Sequence, residues 1–145
     1  MMRICLAFAL AALALSPAMA SGAQSVQAAR PSVEAGVIGT WINPRGTVKV
    51  QTGSCTGGDL CGWVVWANPQ AQADARDGGA GRLVGTELLR SYRQAGPRLY
   101  RGQVYVPDMG RTFYSTIEQR GADELKISGC ILGGLICKSQ EWRRI

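Results

Sequence analysis

Along the second half of the chain, apolar and polar side chains alternate with a period of two. Phe113, Ser115 and Ile117 interleave with Thr112, Tyr114, Thr116 and Glu118, and Leu125 and Ile127 stand against Lys126 and Ser128. Tyr100, Gly102 and Val104 oppose Arg101 and Gln103 in the same way. Successive side chains of a strand point to opposite faces, so this pattern predicts strands with one face in a core and one in water. The runs are short, and Asn43-Pro44-Arg45-Gly46, Gln94-Ala95-Gly96-Pro97, Pro107-Asp108-Met109-Gly110 and Arg120-Gly121-Ala122-Asp123 separate them as turn signals. Strands are expected over residues 37–42, 48–51, 60–66, 87–92, 99–106, 111–118, 124–130 and 137–144. Residues 67–81, rich in Ala, Asp and Gly, are expected to form the longest loop. About eight short strands joined by tight turns, with no segment of helical period among them, predict an all-β fold. The specific expectation is a small antiparallel up-and-down barrel.

Before residue 37 the pattern is different. Met1-Met2-Arg3 leads into an unbroken apolar run, Ile4 to Leu15, followed by Ser16-Pro17 and the small-x-small triplet Ala18-Met19-Ala20. That order is the grammar of a cleavable secretory signal peptide, residues 1–20, and the run is too short to span a bilayer. Residues 21–36 are small and polar and read as a flexible arm. The mature chain is then one domain, residues 37–145, without a transmembrane segment, and its expected place is the periplasm or the outside of the cell.

An exported domain of this size profits from cross-links, which changes how the cysteines are read. Cys5 leaves with the signal peptide, while Cys55, Cys61, Cys130 and Cys137 remain. Four cysteines allow three pairings, and the two close pairs around Gly-rich turns favour Cys55–Cys61 and Cys130–Cys137. A zinc site is the rival, but the spacings are wider than those of zinc-binding pairs and the chain has no histidine. No metal or other cofactor is therefore expected. The net charge of +6 is spread over scattered arginines rather than clustered, which argues against nucleic acid as a partner.

The lack of histidine also excludes the ordinary Ser-His-Asp and Cys-His arrangements. Asp108 and Asp123-Glu124 sit at turn positions, where solvation or capping accounts for them. The pairs Gly57-Gly58, Gly78-Gly79 and Gly133-Gly134 do not follow a phosphate-loop pattern. The chain is expected not to be an enzyme.

Four motifs occur in order: Gly39-Thr40-Trp41; Cys61-Gly62-Trp63-Val64-Val65-Trp66; residues 105–113, YVPDMGRTF; and residues 129–142, GCILGGLICKSQEW. Together they resemble the small secreted bacterial proteins known as domain of unknown function 2147, over about residues 37–145. Val106 and Met109 stand where polar or acidic residues are usual in that family, and Arg82 where Pro is common. The resemblance implies a lipocalin-like barrel outside the cytoplasm and brings no catalytic residues. By the lipocalin analogy Trp41 closes the barrel floor, beside a basic side chain of the last strand, Arg143 or Arg144.

Barrels of this kind place a concave, largely apolar site at one mouth. The expected function is binding of a small apolar or amphipathic ligand. Its candidate residues are Trp41, Tyr100, Val104, Phe113 and Ile117, with Trp63 or Trp66 at the wall. Trp63 and Trp66 should face opposite sides of their strand unless a bulge intervenes. Gly102 and Ser115, small and inward, either let the wall bend or leave room for the ligand. The alternative is a protein-binding module, such as an envelope protease inhibitor or an assembly or stress factor, using residues 21–36 as an inserting arm.

Overall fold

The computed structural model of the protein describes residues 34–145. The signal peptide expected over residues 1–20 and the arm as far as residue 33 lie outside the described residues. Eight antiparallel strands follow one another around a closed barrel in sequence order. They are β1 (Gly39–Ile42), β2 (Val48–Ser54), β3 (Leu60–Ala67), β4 (Glu87–Gly96), β5 (Leu99–Val106), β6 (Arg111–Gln119), β7 (Glu124–Ile131) and β8 (Ile136–Arg144). The predicted up-and-down barrel is the observed one.

The alternation read from the sequence sets the register. Across β5 and β6, Tyr100 faces Ile117, Gly102 faces Ser115 and Val104 faces Phe113. Ile117 then meets Ile127 on β7, and Leu125 meets Trp142 on β8. Trp41, Tyr92, Tyr100, Leu60, Leu89, Ile117 and Leu125 are fully buried inside the barrel. Each such side chain removed from water contributes about 1.5–3 kcal/mol.

The turn at Pro107–Gly110 has the expected left-handed glycine, with φ of 61° at Gly110. Both disulfides are present in the favoured pairing, Cys55–Cys61 and Cys130–Cys137. The second joins directly paired residues of β7 and β8.

Several boundaries depart from expectation; β2, expected to stop at Gln51, runs on to Ser54. Residues 67–81 are not one loop, because α1 (Pro69–Asp77) occupies most of that stretch. Asn68 caps the helix by accepting a hydrogen bond from the Ala71 amide at 2.8 Å, and Pro69 stands at the first turn, where its missing N–H costs nothing. The helix buries only Ala75, with Ala71 partly covered, so its apolar side is too slight to stand out as a period. Its end is pressed against the β5–β6 turn, where a Cβ on Gly78 would collide with the Pro107 carbonyl. Strand β4 runs on to Gly96 rather than stopping at Tyr92. The first strand begins at Gly39, because residues 35–37 form a single 3-10 turn.

One seam of the barrel is thin. Strand β1 meets β8 only at Trp41 with Arg144 and Ile42 with Arg143. Residues 136–141 of β8 have no β1 partner and are all exposed.

Candidate functional site

The barrel has a sealed end and an accessible one. At the sealed end Trp41 is fully buried and donates its indole N–H to the Thr52 hydroxyl at 3.0 Å. That hydroxyl donates in turn to the Val37 carbonyl at 2.6 Å, fastening the 3-10 turn across the opening. Arg144 lies over the Trp41 ring with its guanidinium carbon 4.2 Å from the centroid. It donates to the carbonyls of Gly36, Ile38 and Ala122 and pairs with Asp123 at 3.5 Å. Its path explains Gly39, where any Cβ would strike the guanidinium. The basic residue expected beside Trp41 is thus Arg144. Arg143, one place back on β8, pairs with Glu124 of β7 and Ile42 of β1. Residues 34–36, expected as the end of the arm, belong to this floor. The Glu34 amide donates to the Tyr100 hydroxyl at 3.2 Å, and Gln94 donates to the Glu34 carboxylate at 2.9 Å. Burial raises the Tyr100 phenol above its ordinary pKa; the Glu34 amide bond works the other way, and the Glu34 charge adds to the rise.

Going up from the floor, the lumen is filled to mid-height. Tyr92 packs directly over Gly102, where a Cβ would come within 2.7 Å of its ring, and Leu89 and Val50 fill the space over Gly62 in the same way. The small inward residues of the wall therefore mark where large side chains of the neighbouring strands lean into the lumen. At this level lie two buried hydroxyls, Tyr92 Oη and Ser115 Oγ, which face each other and have no further hydrogen-bond partner among the described residues. Burial pushes the Tyr92 phenol far above its ordinary pKa, and the facing Ser115 offsets only part of that. The phenol is neutral throughout the physiological range.

Above this polar spot, towards the β5–β6 turn, Val104 and Phe113 face inward and remain partly exposed. On β8, Lys138 pairs with Gly129 and Gln140 with Ile127, so both share the inward face, yet both are exposed beside the thin seam. Val104 and Phe113 thus stand partly open to water above the hydroxyl pair, with the exposed Lys138 and Gln140 beside them.

Of the residues expected to line a site, Trp41, Tyr100 and Ile117 are fully buried towards the floor. Val104 and Phe113 form the throat. Trp63 and Trp66 are not in the lumen. A register shift between Lys49 and Val50 leaves Val65 as an extra residue on β3, so Trp63 opposite Gln51 and Trp66 opposite Lys49 both face outward. Lys49 Nζ sits 5.0 Å from the Trp66 ring on that outer wall. Tyr92 escaped the sequence reading for a similar reason. Ser91 adopts φ of 49°, and the β4–β5 register shifts there, so strict alternation from Leu89 points to the wrong residue. Cys55, Cys61 and Glu87 come within 4.8 Å of one another, but the two sulfurs are bonded to each other and are not free to bind a metal.

Comparison with known proteins adds fold and family. Among curated proteins, none matches the sequence. Among solved structures, a protein of Helicobacter pylori described as belonging to the lipocalin family aligns with a TM-score of 0.55. The alignment covers 79% of this chain and 84% of that one at 17% identity, a likeness of fold. Residues 39–144 match the family described as an uncharacterized protein conserved in bacteria, domain of unknown function 2147. The match runs from the first strand of the barrel to the last, and the chain belongs to that family.

Proposed function

We propose that this chain is an exported, non-enzymatic binding protein that holds one small apolar or amphipathic molecule in the upper lumen. The observation that carries the reading is the buried hydroxyl pair, Tyr92 Oη facing Ser115 Oγ, beneath the partly exposed Val104 and Phe113. Neither hydroxyl has a partner beyond the other among the described residues, so the pair keeps hydrogen-bonding capacity that a ligand oxygen would use. The apolar throat above suits a hydrocarbon tail. Because the lower half is packed by Trp41, Tyr100, Ile117 and Leu125, the ligand is short or leaves its tail at the mouth.

Joined to each other, the two hydroxyls keep one spare O–H and spare lone pairs, so a polar end that both accepts and donates, such as a carboxylic acid or an alcohol, fits them. Nothing near them can act as a base: the chain has no histidine, and the Tyr92 phenol holds its proton. Export is supported by the leader-like residues 1–20 and by the two disulfides. In this reading residues 21–33 are a linker ahead of the barrel.

Native mass spectrometry of the protein purified from its own cell envelope tests the proposal. A retained mass, released on denaturation and absent from a Val104→Trp variant, is the expected result. Protein that is ligand-free at every preparation, and stays so after incubation with envelope lipid extract, would defeat it.

A further inference from the structure

The tip of the β7–β8 hairpin is unusual for a water-soluble surface. Among the described residues, ten large apolar side chains are exposed, and four of them, Ile131, Leu132, Leu135 and Ile136, belong to this one turn. Leu132 is 67% exposed and Leu135 84%. The backbone holds them out. Leu132 adopts φ of 53°, a left-handed conformation that a leucine rarely takes, followed by Gly133 at 66° and Gly134 at 97°. The Cys130–Cys137 disulfide clamps the base of the turn, so the leucines cannot fold back onto the barrel. Met109, 54% exposed, stands on the β5–β6 turn at the same end.

Below the tip, a groove of about 720 Å³ runs down the outer wall of β5 to β8. Arg101 and Lys126 line it together with Tyr114, Ser128, Gly133 and Gly134. No acidic side chain lines it, and no acidic residue occurs in the sequence from 125 to 140. Neither cation forms an ion pair among the described residues, although Glu118 and Glu141 stand opposite Lys126 on the two neighbouring strands.

We propose that this tip docks the protein on the surface of an anionic bilayer. Leu132 and Leu135 enter the boundary between headgroups and acyl chains, while Arg101 and Lys126 meet headgroup phosphates. A constrained turn of aliphatic side chains beside cations matches that two-layered environment. The turn itself, Ile131 to Ile136, offers only aliphatic side chains and glycines, while Tyr114 and Arg101 stand below it in the groove. Lys126 lies six residues from Leu132, about 20 Å along an extended strand, so docking lays the β5–β8 wall as well as the tip against the lipid. Leu132 and Leu135 lie in the turn and Arg101 and Lys126 on the outer face, which separates this proposal from the lumen reading, while Ile131 and Ile136 stand at the rim on the inward face.

Co-sedimentation with vesicles tests it, using phosphatidylglycerol–phosphatidylethanolamine against pure phosphatidylcholine. The protein should bind the anionic vesicles, more weakly as salt rises, and should bind phosphatidylcholine poorly. Leu132→Asp with Leu135→Asp should abolish binding. Arg101→Gln with Lys126→Gln should lower it by roughly 30-fold at low salt. Val104→Trp, which fills the lumen, should leave it unchanged, so that failure of the ligand reading is separable from failure of this one. Far-UV circular dichroism checks that each variant folds. The proposal is overturned by absence of binding to anionic vesicles, or by the double aspartate variant binding as the parent does. Self-association lost in the aspartate variant, without vesicle binding, would equally overturn it and assign the tip to a second copy of the chain.

Discussion

At Trp41 a large apolar side chain, an indole hydrogen bond and a guanidinium lid coincide, which makes the floor the most sharply constrained part of the molecule at the scale of single residues. Trp41→Ala should cost about 3–5 kcal/mol, the range for deleting a core aromatic, read from denaturant unfolding. A variant melting within a degree or two of the parent would show that the floor is not built this way. Tyr92 carries a different prediction. Burial favours its neutral form, so the folded protein keeps a proton that the unfolded chain releases near the ordinary phenol pKa of about 10. Its contribution is therefore complete below about pH 10 and is lost as pH climbs towards the raised folded value. Tyr92→Phe should flatten the loss of stability between neutral and strongly alkaline pH, measured by urea midpoints; an unchanged slope would contradict the burial. The two residues differ in legibility. The floor role of Trp41 came from the lipocalin resemblance carried by Gly39-Thr40-Trp41, which left Arg143 and Arg144 both open, whereas Tyr92 is displaced by one position at Ser91, and a bulge announced only by a backbone angle leaves no mark on the side-chain pattern.

Among the elements, α1 is the part the pattern hid. Its signal was present as a cap rather than a period: Asn68 before Pro69, then Ala71 and Ala75 four residues apart. Asn68→Ala removes the hydrogen bond to the Ala71 amide and should cost about 0.5–2 kcal/mol in thermal or denaturant unfolding. The strands were far more legible, because β5, β6 and β7 each bury one face completely enough to alternate. Strand β3 shows the limit of that logic, for its extra residue at Val65 turns Trp63 and Trp66 to the same side. The hairpin disulfides belong to this scale too. Each closes a short loop, with sequence separations of 6 and 7, so each should add only about 1–3 kcal/mol. Non-reducing peptide maps should recover peptides joining 55 to 61 and 130 to 137; a 55–130 link would break the register of β7 and β8.

For the whole molecule, the barrel followed from counting strands and turns, because a short antiparallel meander has few ways to bury one face of every strand. Its interior did not follow. Small residues at Gly102 and Ser115 were compatible with an empty lumen or a filled one, and the way Tyr92, Leu89 and Val50 lean over the glycines of neighbouring strands shows that the lower half is filled. In the proposed reading the ligand takes the space at Val104 and Phe113 above the Tyr92–Ser115 hydroxyl pair. The most direct test is equilibrium titration with a fluorescent long-chain fatty acid, repeated on Val104→Trp, Phe113→Ala and the Leu132→Asp, Leu135→Asp variant. Saturable one-to-one binding is expected, displaced by unlabelled fatty acid, abolished by Val104→Trp, weakened by Phe113→Ala and kept when the tip leucines are replaced. Binding that ignores both lumen substitutions, or no saturable binding by the parent protein, would contradict the account.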